Sequence, residues 1–315
     1  MALRNPPDER SPAELLSFGL VNLDKPPGPS AHQVADWIRE FTVEAMRKQA
    51  DEMVSGGAVP DPIDRVAHVG TLDPKVTGSL PLLLGDATRL AQVFDDSSKE
   101  YVAVLELHGP APSDFEAILA EFEGRLYQKP PRKSAVSRRL RVREVYDLDV
   151  LERDGRQVLI RVRCEAGTYI RKLCHDIGLA LGVGAHMGDL RRTGTGRFDD
   201  TTLVSMEDFV DALAFWSEGD ASSLRDIVQP AENALSELPR LTIAPSAARQ
   251  VANGAPVYAP GVIEANPARI GGATPEDGSL VACFTPEDSA VCLGRLVGDP
   301  DADSGTVVEL ERVLV

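Results

Sequence analysis

A single carboxylate, Asp73, sits in a stiff stretch of chain, His68-Val-Gly-Thr-Leu-Asp-Pro74 followed by Lys75-Val-Thr-Gly78, flanked by Gly70, Pro74 and Gly78. Loops held by rigid turns are where catalytic groups concentrate. The absence of a partner carboxylate argues against glycosidase chemistry, which normally needs two. Alone, Asp73 could serve as a nucleophile or a base. It could equally cap its own backbone in an Asx-turn. Arg171, in Gly167-Thr-Tyr-Ile-Arg-Lys-Leu-Cys-His175, falls at the start of a helical pattern. Its guanidinium could hold a distant carboxylate in a fork of hydrogen bonds, or simply be solvated. Tyr101 and Tyr169 offer faces on which a base could stack, although tyrosines in such elements more often fill a core. His68, His175 and His186 lack metal-ligand spacing, so no metal is expected.

The elements that must position these groups are legible from periodicity. Leu20 to Leu23 reads as a strand running into the turn Lys25-Pro-Pro-Gly-Pro29. Ser30 and Gln33 form a capping box for a helix with Val34, Trp37, Ile38, Phe41 and Ala45 on its apolar face. Residues from about 50 to 63 read as a loop, part of an insertion near residues 46–64. Tyr101, Ala103, Leu105 and Leu107 alternate as one face of a strand. Ser113 and Glu116 are placed to cap a short helix that Gly124 ends. Val158 to Cys164 reads as a further strand, and Ile170 to Leu181 as a helix. Strands and helices mix without a regular βαβ repeat, so the expected class is α+β, with a mainly antiparallel mixed sheet flanked by helices.

Prolines at 230, 239 and 245 mark a boundary, and beyond it short apolar runs separated by turns predict a small β-rich module. The division expected is 1–235, whose N-terminal extension packs on the C-terminal module, and 238–315. No apolar run approaches membrane-spanning length and the N-terminus is polar, so a cytoplasmic location is expected. Cys164, Cys174, Cys283 and Cys292 form no C-x-x-C pair and read as buried free thiols.

The charge balance, 49 acids against 33 bases for a net −16, has two readings. One is a chain that avoids nucleic acid. The other is a halophile's acidic surface, whose long-range repulsion molar salt screens to a Debye length of ~3 Å. The distribution favours the second. From Arg125 to Arg143 there are eight bases and no acid, Lys129, Arg132 and Lys133 among them, and Arg191, Arg192 and Arg197 form a smaller cluster.

Six segments together carry a resemblance. They are Leu23-Asp-Lys-Pro-Pro-Gly-Pro-Ser30; His68 to Gly78; Lys99-Glu-Tyr-Val102; Tyr127-Gln-Lys-Pro-Pro131 with Ser134-Ala-Val136; Gly167 to Gly178; and Gly184-Ala-His-Met-Gly-Asp-Leu-Arg-Arg192. The chain resembles the TruB and dyskerin family of pseudouridine synthases, in its archaeal and eukaryotic box H/ACA branch. The stretch from about Leu238 to Val315 looks like that family's PUA RNA-binding domain. The resemblance implies Asp73 as catalytic aspartate, Arg171 as its partner, Tyr101 stacking on uracil, and Tyr169 and Leu190 lining the pocket. It further implies His68 as an RNA contact and Lys25, Pro26 and Gly28 as support for the active-site loop. The basic run, with Lys129, Arg132 and Lys133, would hold phosphates, which fix register without reading sequence. No cofactor is required. Implied partners are a guide RNA, rRNA or tRNA substrate, small proteins of the Nop and Gar types, and a kink-turn-binding ribosomal-type protein. The alternatives are a stand-alone tRNA synthase acting on the TΨC loop and a non-catalytic RNA-binding scaffold.

Overall fold

The computed structural model describes residues 3–52, 61–130, 137, 139–266 and 276–315. Two sheets organise the chain. The larger contains β1 (Phe18–Lys25), β2 (Val66–His68), β3 (Thr77–Gly85), β4 (Lys99–Leu107), β5 (Gly124–Gln128), β6 (Arg141–Asp154), β7 (Gln157–Cys164), β8 (Ala185–Thr195) and β9 (Gln229–Pro230). Its order is β5-β6-β7-β4-β8-β3-β1-β9, with β2 paired to β3. Every pairing in it is antiparallel except β3 with β8, which meet at Thr77↔Arg191 and Gly78↔Arg192.

That parallel junction depends on one residue. Gly78 has φ +98°, and a Cβ there would lie 2.1 Å from the Arg192 carbonyl oxygen. Gly78→Ala is therefore expected to cost more than about 1 kcal/mol, from backbone strain and the blocked approach of β8; denaturant unfolding measures it.

Strands β1 and β3 do not alternate buried with exposed, because both their faces are covered. Val21, Leu23, Leu80, Leu82 and Leu84 pack with the helices of one face. Those helices are α1 (Pro12–Ser17) and α2 (Ala31–Glu52), joined by residues of two later ones; α3 (Phe115–Ala120) and α4 (Ile170–Ala180) follow in the chain, then α5 (Met206–Ser217) and α6 (Ser222–Ile227), which complete the layer. Helices α3 and α4 instead cover β4 to β8 through Phe115, Leu173 and Ile177. The opposite face of β1 and β3, with Phe18, Leu20 and Leu83, packs against Ala282, Phe284, Ala290, Leu293 and Leu314.

Apart from Leu314, which follows its last strand, the latter residues belong to the second sheet. It comprises β10 (Arg240–Ile243), β11 (Val257–Tyr258), β12 (Val262–Asn266), β13 (Leu280–Phe284), β14 (Ala290–Leu296) and β15 (Thr306–Val313), with α7 (Pro245–Val251) between β10 and β11. Its order is β11-β15-β14-β13-β10-β12. The N-terminal segment crosses to this sheet: Arg4 Nε donates to the Leu314 carbonyl at 2.8 Å, and Leu3 packs against its core.

Several local expectations are corrected. Ser30 and Gln33 do cap α2, but Trp37 and Phe41 are 39% and 37% exposed. The buried stripe runs through Ala31, Val34, Ala35, Ile38 and Met46. Ile38 and Met46 are among the largest fully buried side chains, so the stripe and not the two aromatics fills this core. Helix α2 also continues through Glu52 into the expected loop, of which residues 53–60 lie outside the described ones. Ser113 and Glu116 form no capping box; α3 starts after Asp114, with no side-chain cap. All four cysteines are buried free thiols.

Candidate active site

Asp73 follows β2 in the loop that leads into β3 and Arg171 lies in the first turn of α4, and the two side chains form an ion pair. The carboxylate therefore faces a cation contributed from 98 residues away, rather than its own loop backbone. Both groups remain about half exposed, 56% for Asp73 and 54% for Arg171, so the pair is open to a ligand.

The pair sits on the wall of a cleft of about 610 Å³. Tyr101 from β4, Leu190 from β8, Tyr169 at the N-cap of α4, and His68 at the end of β2 line the same cleft. Residues scattered from 68 to 190 thus converge on one concavity. Tyr101 and Leu190 come together because β4 and β8 are neighbours, with Ala103 opposite Leu190 and Tyr101 opposite Arg192.

The carboxylate loop is fixed from below by a buried lysine. Lys25 Nζ donates to the carbonyls of Pro26 at 2.9 Å, Pro74 at 3.0 Å and Val76 at 2.9 Å, using all three of its N–H donors. The Gly28 amide, at φ +115°, adds a 2.8 Å bond to the same Pro74 carbonyl. The Pro-Pro-Gly turn thereby grips the residues just after Asp73. Burial pushes the Lys25 ammonium below its ordinary value, and the Asp73 charge opposes that shift.

Arg192 holds the other side of the loop. It is 1% exposed, with Nε on the Ser79 carbonyl at 2.6 Å and Nη2 on the Val69 carbonyl at 3.0 Å. Gly70, at φ +69°, leaves room for it, since a Cβ there would come within 2.8 Å of Arg192 Nη1. Burial raises the Tyr101 phenol above its ordinary value, and the Arg192 charge partly offsets this. Burial, then the charges of His32 and Arg192, lower the imidazole of His68, which keeps it neutral near pH 7.

The basic run meets the cleft at its edge. Gln128, the last residue of β5, accepts from the Tyr169 amide at 2.9 Å and donates to its carbonyl at 3.3 Å. Lys129 follows at the surface and does not line the cleft; Arg132 and Lys133 lie outside the described residues. The smaller arginine cluster is not a free positive patch. Arg191 makes two 2.9 Å bonds to Asp24, Arg192 is buried, and Arg197 is held by Asn233 and Ser236. A cluster in sequence says nothing about which way β8 turns each side chain.

Periodicity and motif reading left Lys99, Met187 and Arg192 without a role in the cleft that they also line. The available signal was strand alternation: Lys99 lies two residues before Tyr101 and so shares its face of β4. Arg171→Lys, which retains charge but loses the planar fork, is expected to slow turnover about 10- to 100-fold by letting the carboxylate move. Single-turnover kinetics at saturating RNA would measure that loss.

Comparison with known proteins gives the chain a family. Residues 61–114 match the N-terminal domain of the TruB family of pseudouridylate synthases, residues 171–236 the C-terminal domain of tRNA pseudouridylate synthase B, and residues 4–35 the DKCLD domain. A probable tRNA pseudouridine synthase B of Haloarcula marismortui is 65% identical over 315 residues, covering 100% of this chain and 94% of that protein. One from Pyrococcus abyssi is 44% identical over 318 residues, covering 98% and 87%. The fold matches a chain from a Cbf5-Nop10-Gar1 complex with TM-score 0.85 and 42% identity, over 99% of this chain and 90% of that one. It also matches an H/ACA ribonucleoprotein structure bound to a substrate RNA containing 2′-deoxyuridine, with TM-score 0.84, 40% identity and the same coverage. The chain belongs to the TruB family of pseudouridylate synthases.

Proposed function

We propose that this chain isomerises uridine to pseudouridine in RNA as the catalytic subunit of a box H/ACA guided particle. The observation that carries the reading is the convergence of the Asp73–Arg171 pair, Tyr101, Tyr169 and Leu190 on one cleft, whose volume of about 610 Å³ is that of a small-ligand pocket. A stacked uridine is out of reach, so it must be flipped into a pocket with an aromatic platform and an apolar wall. Tyr101 supplies the platform, and Tyr169 and Leu190 the wall. Asp73 either attacks C1′ of the ribose or removes the C2′ proton to give a glycal; the freed base turns and bonds to C1′ through C5. Arg171 aims the carboxylate through their ion pair. His68 contacts the RNA at the mouth, and Lys25, Pro26 and Gly28 brace the Asp73 loop.

Residues 1–235 form the catalytic domain and 238–315 a PUA domain that binds RNA. The cytoplasm is the site of action; among the described residues no helix is long and apolar enough to cross a membrane. Lys129, with Arg132 and Lys133, contacts phosphates. The assignment of guide RNA and of Nop- and Gar-type partners is supported by fold matches to Cbf5-Nop10-Gar1 and to the substrate-bound particle. A kink-turn-binding ribosomal-type protein completes the particle. The isomerisation is redox-neutral, so no redox cofactor takes part.

The relatives named as probable tRNA pseudouridine synthase B favour a second reading, a stand-alone enzyme on tRNA. Release of tritium from C5-labelled uridine separates the two in high-potassium buffer. Release from a guide-matched target only with guide and accessory proteins supports the guided enzyme. Release from bare tRNA alone supports the stand-alone one, and release from neither overturns both.

A further inference from the structure

We propose that Lys99 and Arg192 form a buried cationic floor to the cleft that stabilises the uracil base while it is detached from its ribose. The inference rests on the pseudouridine-synthase reading of the site. Both residues line the cleft with Asp73, yet they are only 5% and 1% exposed. They reach it from adjacent strands: Lys99 and Tyr101 point to one face of β4, and Arg192 is the cross-strand partner of Tyr101 on β8.

Among the described residues neither cation has a carboxylate within ion-pair distance. Lys99 Nζ donates to the Ser97 carbonyl at 3.0 Å, and Arg192 donates to the Ser79 and Val69 carbonyls. Arg192 also interacts electrostatically with the Tyr101 phenol. Burying cations without an acidic partner is unfavourable, and such strain is retained where a ligand supplies the missing charge.

The reaction generates that charge. When the C1′–N1 bond breaks, its electron pair leaves with the base, so uracil carries one negative charge spread over N1, O2 and O4. The same charge arises on either route from Asp73. It disappears when C5 attacks C1′: the Asp73 carboxylate is expelled from the ester, or the glycal regains its C2′ proton. The C5 proton is then lost as N1 takes one up, and no oxidant or reductant takes part. Fixed charges on the floor of the cleft stabilise such an anion without having to reorganise.

Lys99 is the titratable member. Its environment is Arg192 from β8, Cys164 from β7, Asp95 from the segment before β4, and Tyr101 on its own strand. Burial first, then the Arg192 charge, push its ammonium down to about 8, against the opposing effects of Cys164 and Asp95. It is charged below that pH and neutral above it.

The experiment is single-turnover tritium release by the assembled particle, comparing wild type, Lys99→Met and Lys99→Arg across pH, with thermal unfolding alongside. Lys99→Met is expected to slow the chemical step about 30- to 100-fold, with RNA affinity within about threefold and no fall in the unfolding midpoint. The wild-type rate should decline as pH rises through about 8, and Lys99→Arg, which stays charged, should remove that decline. A Lys99→Met rate within about twofold of wild type overturns the proposal. So does a Lys99→Arg pH profile that matches wild type, a comparison that survives even if the Met variant folds poorly. No release by wild type would instead sink the reading of the site on which the proposal rests.

Discussion

Asp73→Ala is expected to lower single-turnover pseudouridine formation by at least about 10⁴-fold, while RNA affinity stays within about threefold. The size of the loss follows from the chemistry: either route from uridine requires a carboxylate at this point, and Asp95, the other acid described along the cleft, is not the one paired with Arg171. Its selectivity follows from the geometry. The Asp73 side chain is 56% exposed and its ion pair with Arg171 is open to solvent, so the pair adds little to stability, about 0–1 kcal/mol. The loop carrying it is held by Lys25, Gly28 and Arg192 through backbone carbonyls, which the substitution does not touch. Tritium release, filter binding and thermal unfolding on one preparation measure all three quantities. Loss of binding or folding in parallel with turnover would make Asp73 a structural residue and revive the scaffold reading.

The largest effect on stability is expected far from the cleft, at Arg10 and Glu232. Arg10 Nη1 and Nη2 meet the two carboxylate oxygens of Glu232 at 2.8 and 2.5 Å, with side-chain exposures of 1% and 8%. Glu232 Oε1 also accepts from the Ala290 amide at 3.1 Å, and Arg10 Nε reaches the Asn5 carbonyl at 3.0 Å. One buried pair therefore ties the N-terminal segment, the residues after β9 and the start of β14. Glu232→Ala strands a guanidinium in a protein interior and is expected to cost about 3–5 kcal/mol, read as a lower denaturation midpoint. Replacing both residues with apolar side chains of similar volume should cost less, since no charge is then left unpaired. Equal losses from the single and double replacements would show that packing, rather than the charge pair, holds the junction.

The acidic composition is compatible with RNA binding in this arrangement. Acids are spread over the sequence, whereas the Arg125–Arg143 run is free of them and contains Gln128, which stitches β5 to Tyr169 at the cleft. Molar salt screens repulsion from the rest of the surface far more than contacts at a few ångströms.

Local order was legible in the sequence where the signal is local. The strand through Tyr101, the helix beginning at Ile170, and the Ser30–Gln33 capping box follow from alternation, helical spacing and cap chemistry, all of which act within a few residues. The six ordered segments identified the family for the same reason, since each is a short run of neighbouring residues. Tertiary structure alone decided the rest. It brought Asp73 against Arg171 across 98 positions and set Arg192 beneath Tyr101 through strand register. It also turned Trp37 and Phe41 outward and buried Val34, Ile38 and Met46 in their place. Which of several plausible faces is buried, and which cations meet a carboxylate, depends on what packs opposite. Spacing along a chain carries no record of that.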